Sequence, residues 1–308
     1  MRQGRRRPTR LAVQGPIARP TPPFCAGKPI HRARGYGWAQ PATHVGRRVR
    51  WIARASRATI GLMARLYAES FAPWCEKARW ALDHHRVPYD YTEHLPMIGE
   101  LRLRSAARKW SGRVTVPLLV DGGEVLMDSV AIARWAERRG SGSPLFPAEH
   151  DEAIAAWNER SEIVMTAGRA LLMPRIAASS PALREQLPPF VPRSLRGALE
   201  PLASSGVGHL TRKYGIRAND HSHDESRARA ALDVLRAALD AREHLLDAFS
   251  FADITMATSL QFILPVDDRY IALGPATRDA WTHPTLASEY ADLLAWRDRL
   301  YARHRQRA

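Results

Sequence analysis

The sequence predicts a small α/β unit followed by a larger all-helical one. Three observations carry this. Residues 65–93 run strand, helix, strand. Asp121-Gly122-Gly123 parts two short apolar runs ahead of a helix at 129–139. Beyond a Gly/Ser/Pro-rich break at 140–151, strand patterning nearly vanishes.

Taken in order, "RLYAES" (65–70) is a short apolar start that suits a strand. Ala78, Ala81 and Leu82 then fall at i, i+3 and i+4 on one helix face, and Asp83-His84-His85 closes that helix with polar residues. "VPYDYTE" (87–93) alternates Val87, Tyr89 and Tyr91 with polar or turn residues, which is strand spacing. Strand, helix, strand at this length implies a right-handed unit with parallel strands. An irregular helical stretch follows at roughly 98–110. "VTVPLLV" and "EVLMD" then flank the Asp-Gly pair, a strong short-range hairpin signal. The helix at 129–139 places Ile132, Trp135 and Ala136 on one face. This order describes a thioredoxin-like sheet whose last strands are antiparallel.

The expected boundaries are an α/β domain at 63–140, a linker at 141–150 and an all-helical domain at 151–308. Helices are expected near 151–172, 225–243, 251–264 and 285–303. Leu232, Leu235 and Leu239 keep helical spacing in the second, as do Leu286, Tyr290, Leu293, Leu294, Leu300 and Tyr301 in the last. Scattered Pro and Gly leave 174–224 without an assignment. Ser250 and Asp253 have capping-box spacing, and the thirteen residues after Asp253 carry no charge, which fits a helix buried inside the helical domain.

The formal charge of +15 points at first to nucleic acid or an acidic membrane. Its distribution argues otherwise. Residues 1–62 hold 13 Arg and one Lys with no acidic residue, leaving 32 Lys and Arg against 31 Asp and Glu in the other 246 residues. The basic character belongs to the leader, whose Pro-, Gly- and Arg-rich composition predicts disorder. The leader has three readings: a misread start upstream of Met63, a targeting peptide, or a basic arm that binds nucleic acid or anionic lipid. The first is favoured, because the folded pattern starts within a few residues of Met63, and the arm ranks last for want of interleaved aromatics. With only Cys25 and Cys75, the folded part has no internal disulfide, which fits a reducing cytoplasm. No apolar run reaches bilayer length. His221, His223 and Asp224 lie in a polar stretch that reads as a solvated loop, so no metal site is expected.

Four segments, "APWCEKARWAL", "TVPLLVDGGEVLMDS", "LFP" and "FSFADIT", resemble the glutathione S-transferase family in order and spacing, over 63–308 and none of 1–62. The resemblance implies a thioredoxin-like domain followed by a helical one, usually in a homodimer, with glutathione as co-substrate. It implies a cis peptide at Val116-Pro117, with the Val116 main chain pairing the cysteinyl unit of glutathione. It assigns the γ-glutamyl end to Asp128 and Ser129. Ser129 would stand at a helix N-terminus, where free amides and the dipole favour a carboxylate; capping that helix is the plainer role for the pair. Lys109 and Arg113 are the candidates for the glycine carboxylate.

The same resemblance puts the family's thiol-activating position on Ala72, which can neither donate nor attack. Cys75, three residues later in a first helical turn, is a candidate for a lowered pKa or a half-buried structural residue. Ser70 and Tyr67 are other candidate donors. Trp74 and Met165 are candidates for lining the pocket of a small, apolar electrophile. The expected activity is conjugation of the glutathione thiolate to such an electrophile, as in detoxification. The rivals are a non-catalytic binding or scaffold protein and a glutathione-dependent reductase or peroxidase working through Cys75.

Overall fold

Hydrophobic periodicity turns into elements in the computed structural model, which describes residues 63–216, 221–240 and 242–305. The expectations for 1–62, Cys25 included, lie outside the described residues. Strand β1 (Ala64–Ala68) is followed by α1 (Pro73–His84), β2 (Tyr89–Glu93), α2 (Glu100–Ala107), β3 (Leu118–Asp121), β4 (Glu124–Leu126) and α3 (Ser129–Arg139). The sheet order is β2-β1-β3-β4, with β1 parallel to β2 and antiparallel to β3. The β3–β4 hairpin pairs Asp121 with Glu124, and Gly122 turns it at φ 58°, a left-handed conformation that favours glycine. The expected mixed sheet is therefore present.

Strand parity divides the core. Leu66 and Ala68 point to the face covered by α1 and α3, where Ala78, Leu82, Ile132 and Ala136 pack with them. Tyr67 points the other way, into a cluster with Leu103, Ala107, Val114 and Leu118 beneath α2.

The helical region begins after a 3-10 turn at 148–150 with α4 (Asp151–Ala177), the longest helix described. Then come α5 (Ser180–Glu185), α6 (Glu200–Lys213), α7 (Ser222–Leu239), α8 (Phe251–Ser259), α9 (Pro275–Trp281), α10 (Pro284–Glu289) and α11 (Ala291–His304). Two departures from expectation have physical reasons. The unassigned 174–224 contains α5 and α6, whose prolines sit in the first turn, where the missing N–H costs nothing. The stretch at 285–303 is two helices broken at Tyr290; that residue is fully buried, and its hydroxyl donates to Asp233 of α7 at 2.9 Å. Helical spacing survives the break because both pieces bury the same side.

Every residue of α8 is buried, as the uncharged run predicts. The Ser250–Asp253 capping box is formed, and Asp253 also accepts from the Leu245 amide at 2.9 Å. Helix α8 joins the two parts: α1 and α4 both pack on it, and α4 packs in turn on α7.

Residues 304 and 305 fold back onto α1. Trp80 Nε1 donates to the His304 carbonyl at 3.3 Å, while Arg305 reaches Glu76 at 2.7 Å and Asp83 at 2.6 Å. The His304 ring stacks on Phe249 at 3.9 Å, with His244 and His84 near the same ring. Burial, with neighbouring positive charge, pushes His304 down to about 4, and burial with His84 does the same to His85. Both rings are neutral in the fold and protonated in the unfolded chain between pH 4 and 6.5. The unfolded state binds more protons there, so stability present above pH 6.5 is lost as pH falls toward 4. Chemical unfolding across that window should show a loss of a few kcal/mol, and the slope should flatten in His85→Gln/His304→Gln.

Candidate functional site

A cleft of about 460 Å³ lies between the sheet and the helical region. Four segments of the α/β part build one side: the β1–α1 turn, the stretch from the end of β2 into α2 with Glu100, the stretch leading into β3, and the start of α3. On the opposite side stand α4, the end of α6, and the aromatic rings of Phe262 and Trp281.

The β3 approach brings Arg113, Val116 and Pro117 to the cleft, and the Val116–Pro117 peptide is cis, as the family resemblance implied. Val116 precedes the strand, and its main chain has no hydrogen-bond partner among the described residues. At the next segment, Asp128 caps α3 by accepting from the Ala131 amide at 2.9 Å. Ser129 opens the helix at the cleft, buried, with no partner for its hydroxyl among the described residues. The first amides of a helix have no acceptor inside it, so this corner presents donors.

The β1–α1 turn contributes Glu69, Phe71, Ala72, Pro73 and Trp74. Ala72 is the N-cap residue of α1 and supplies no side-chain cap, so, with Pro73 lacking an N–H, the Trp74 and Cys75 amides of the first turn are uncapped. Trp74 Nε1 donates to Glu162 Oε2 at 2.7 Å. Lys77 approaches the other oxygen of Glu162 at 2.9 Å, and its ammonium also donates to Ser161 at 2.8 Å and Asn158 at 3.0 Å. Burial lowers the Lys77 pKa against the pull of Glu162. This network pins α1 to α4 behind the cleft.

Several expected site residues stand elsewhere. Cys75 faces the sheet: it is fully buried beside Leu66, Ala68 and Ala78, and its sulfur accepts the Glu69 amide at 3.3 Å. Burial, followed by the charge of Glu69, raises its thiol well above the usual value, opposite to the depression that a reactive thiol needs. Ser70 turns outward, and both its amide and its hydroxyl donate to Glu93, at 3.0 and 3.3 Å. Tyr67 lies under α2 because strand parity sends it to the face away from α1. Lys109 is exposed and does not line the cleft, and Met165 is buried in the helical core. Among the expected residues, Trp74, Arg113, Val116, Pro117, Asp128 and Ser129 are brought together.

Sequence reasoning missed Glu69 and the polar residues of the helical wall. Glu162, Thr166, Arg169 and Met173 line the cleft at i, i+4, i+7 and i+11, with Thr166 and Arg169 as polar positions in the largely apolar second half of the helix. That interruption was the available signal. The Arg169 guanidinium lies 3.7 Å from the Tyr214 ring centre and 4.8 Å from that of Trp74. Burial, then the nearby charge of Glu93, raises Glu69 to about 7, against the pull of Lys213 and Arg169. No group of three or more His, Cys, Asp or Glu among the described residues is placed to hold a metal ion, and no described helix is long and apolar enough to cross a membrane. His221 and Asp224 stand 3.7 Å apart at the start of α7.

Residues 71–139 match the family described as glutathione S-transferase, N-terminal domain. No curated protein matches the sequence. Among solved structures, the glutathione S-transferase of Ceriporiopsis subvermispora in complex with glutathione is 19% identical, covers 79% of this chain and 94% of its own, and has a TM-score of 0.51. A glutathione S-transferase domain-containing protein of Marinobacter aquaeolei VT8 is 21% identical, with 78% and 98% covered and a TM-score of 0.48. A glutathione S-transferase of Methylobacillus flagellatus KT with glutathione bound is 17% identical, with 78% and 95% covered and a TM-score of 0.49. With the mixed four-stranded sheet followed by helices, residues 71–139 are a segment of the glutathione S-transferase N-terminal domain family, and the described chain has the glutathione S-transferase fold.

Proposed function

We propose that the chain binds glutathione in this cleft and directs its thiolate to a small electrophile. The observation that carries this reading is a set of polar groups without protein partners converging on one cleft: the Val116 main chain, the Ser129 hydroxyl at the α3 N-terminus, and Arg113. Two extended main chains pairing at Val116 would hold the cysteinyl unit. The α3 N-terminus suits the γ-glutamyl carboxylate, Asp128 its ammonium, and Arg113 the glycine carboxylate. The complex of the Ceriporiopsis subvermispora protein with glutathione supports glutathione as the ligand.

For thiol activation, Ala72 offers no hydroxyl, so the uncapped first turn of α1 carries the task. Its free amides and dipole favour a thiolate over a thiol whose ordinary pKa is about 8.5. The thiolate forms a sulfur–carbon bond with the electrophile as the leaving group departs. A homodimer, a cytoplasmic location and a part in detoxification accompany this reading on the family resemblance. A second reading, a binding protein that does not catalyse, is favoured by Ala72 together with the absence of Cys75, Ser70 and Tyr67 from the cleft lining. Burial of Cys75 counts against a reductase or peroxidase.

Calorimetric titration of the full chain with reduced glutathione tests the proposal. Saturable binding is expected, weakened about tenfold or more in Ser129→Ala, since a hydrogen bond to a charged group contributes about 1.5–3 kcal/mol. No binding by the unmodified chain would remove the proposal.

A further inference from the structure

We infer that the electrophile is a flat aromatic acid, its ring laid against Trp74, Phe262 and Trp281 and its carboxylate held by Arg169. The inference rests on the glutathione-transfer reading and names its substrate class.

Arg169 is half-buried on α4, with a ring centre 3.7 Å away on Tyr214 and another 4.8 Å away on Trp74. Guanidinium–ring contact of this kind engages the faces of the cation and leaves its N–H groups, which lie in the plane, as donors. No side-chain or main-chain oxygen among the described residues accepts from them, and no carboxylate pairs with Arg169. Burial lowers its pKa, and so does the charge of Arg113 across the cleft.

The surrounding carboxylates are already committed. Glu162 is taken by Lys77 and Trp74, and Glu100 by Lys213 at 3.5 Å and Arg104 at 3.8 Å. Asp128 caps α3 at the far segment. Glu69 remains, and burial holds it partly protonated at neutral pH. The unpaired charge in the cleft is therefore cationic.

Beside that charge runs an aromatic wall. Phe262 stacks on Trp281 at 5.0 Å and 3°, and Trp74 meets Phe262 edge-on at 5.8 Å. A neutral apolar guest would cover Arg169 and strip its remaining water without returning a hydrogen bond, which is costly for a cation. An aromatic carboxylate returns two, in the bidentate geometry that a guanidinium fork accepts.

The test compares dinitrobenzoate with dinitrobenzamide, which match in shape and differ in charge, by calorimetry on the full chain at neutral pH. The benzoate is expected to bind about tenfold more tightly or better, from a charge-assisted hydrogen bond. Arg169→Gln should abolish that preference while leaving glutathione affinity within about threefold, and Arg169→Lys should restore part of it. Turnover gives a second readout. With chlorodinitrobenzoate and chlorodinitrobenzene, the thiol proton leaves to solvent, the sulfur–carbon bond forms, and chloride departs with its electron pair. Arg169→Gln should cut kcat/KM about tenfold for the acid and leave the neutral compound within about threefold. Equal binding of benzoate and benzamide by the unmodified chain would overturn the inference. So would an Arg169→Gln variant that loses glutathione as fully as benzoate, since Arg169 would then serve glutathione. Glutathione titration reports separately on the underlying reading, and the benzoate–benzamide comparison decides the anion pocket without any variant or turnover.

Discussion

Arg305→Ala should lower the unfolding free energy by about 3–5 kcal/mol, the range seen when one partner of a buried ion pair is removed. The guanidinium bridges Glu76 at 2.7 Å and Asp83 at 2.6 Å, with side-chain exposures of 6%, 1% and 7% for the three residues. Burial opposes the Arg305 charge, and the two carboxylates outweigh it, raising its pKa. Arg79 still stands 3.3 Å from Glu76, and the Tyr89 hydroxyl still donates to Asp83 at 3.1 Å, which places the loss toward the lower end of the range. Urea unfolding should show the midpoint falling with the slope unchanged. Adding Glu76→Gln and Asp83→Asn should recover part of the loss, because neutral amides no longer leave uncompensated charge behind. A midpoint that does not move would mean that water reaches the pair.

Lys77→Met should cost about 2–4 kcal/mol. Met fills the stem but removes the ammonium donor from Asn158, Ser161 and one oxygen of Glu162, leaving Asn158 and Ser161 only their bonds to Thr255 and to each other. Glu162 is 40% exposed, so water compensates part of its share, and Thr255 still serves Asn158 and Ser161, which places the loss toward the lower end of the range. A double-mutant cycle with Glu162→Gln separates the two contributions: coupling below about 0.5 kcal/mol would show that the ion pair itself adds nothing. The same substitution loosens the carboxylate that anchors Trp74, so ligand affinity in the cleft should fall along with stability.

Much of this fold could be read from local pattern. The Asp121-Gly122 hairpin, the α3 helix starting at Ser129 and the Ser250–Asp253 box all depend on residues a few positions apart, and all are formed. Cys75 was readable too. It shares a stripe with Ala78 and Leu82 at i, i+3 and i+7, the stripe that faces the sheet, whereas Ala72 and Trp74 line the cleft. Parity in β1 likewise commits Tyr67 to the side opposite Leu66. The helical wall of the cleft was harder to read. Glu162 and Arg169 stand out as polar positions on α4, but only the tertiary fold sets Tyr214 and Trp74 around Arg169. Nothing near Glu76 in the sequence announces its partner, because Arg305 lies 229 residues away.

That separation has a consequence for the order in which the protein is made. At about 5–20 residues per second, roughly 10–50 s pass between synthesis of Glu76 and of Arg305. Throughout that interval, among the described residues, the nascent first helix carries Asp83 with no cationic partner and Glu76 with Arg79 alone. The carboxylates stay hydrated until then, so the Glu76–Asp83 edge of α1 remains open to water until the last turn of α11 emerges. The arrival of Arg305, rather than formation of the sheet, is then the event that seals this edge, and a product that stops short of it is left with a wet seam along α1.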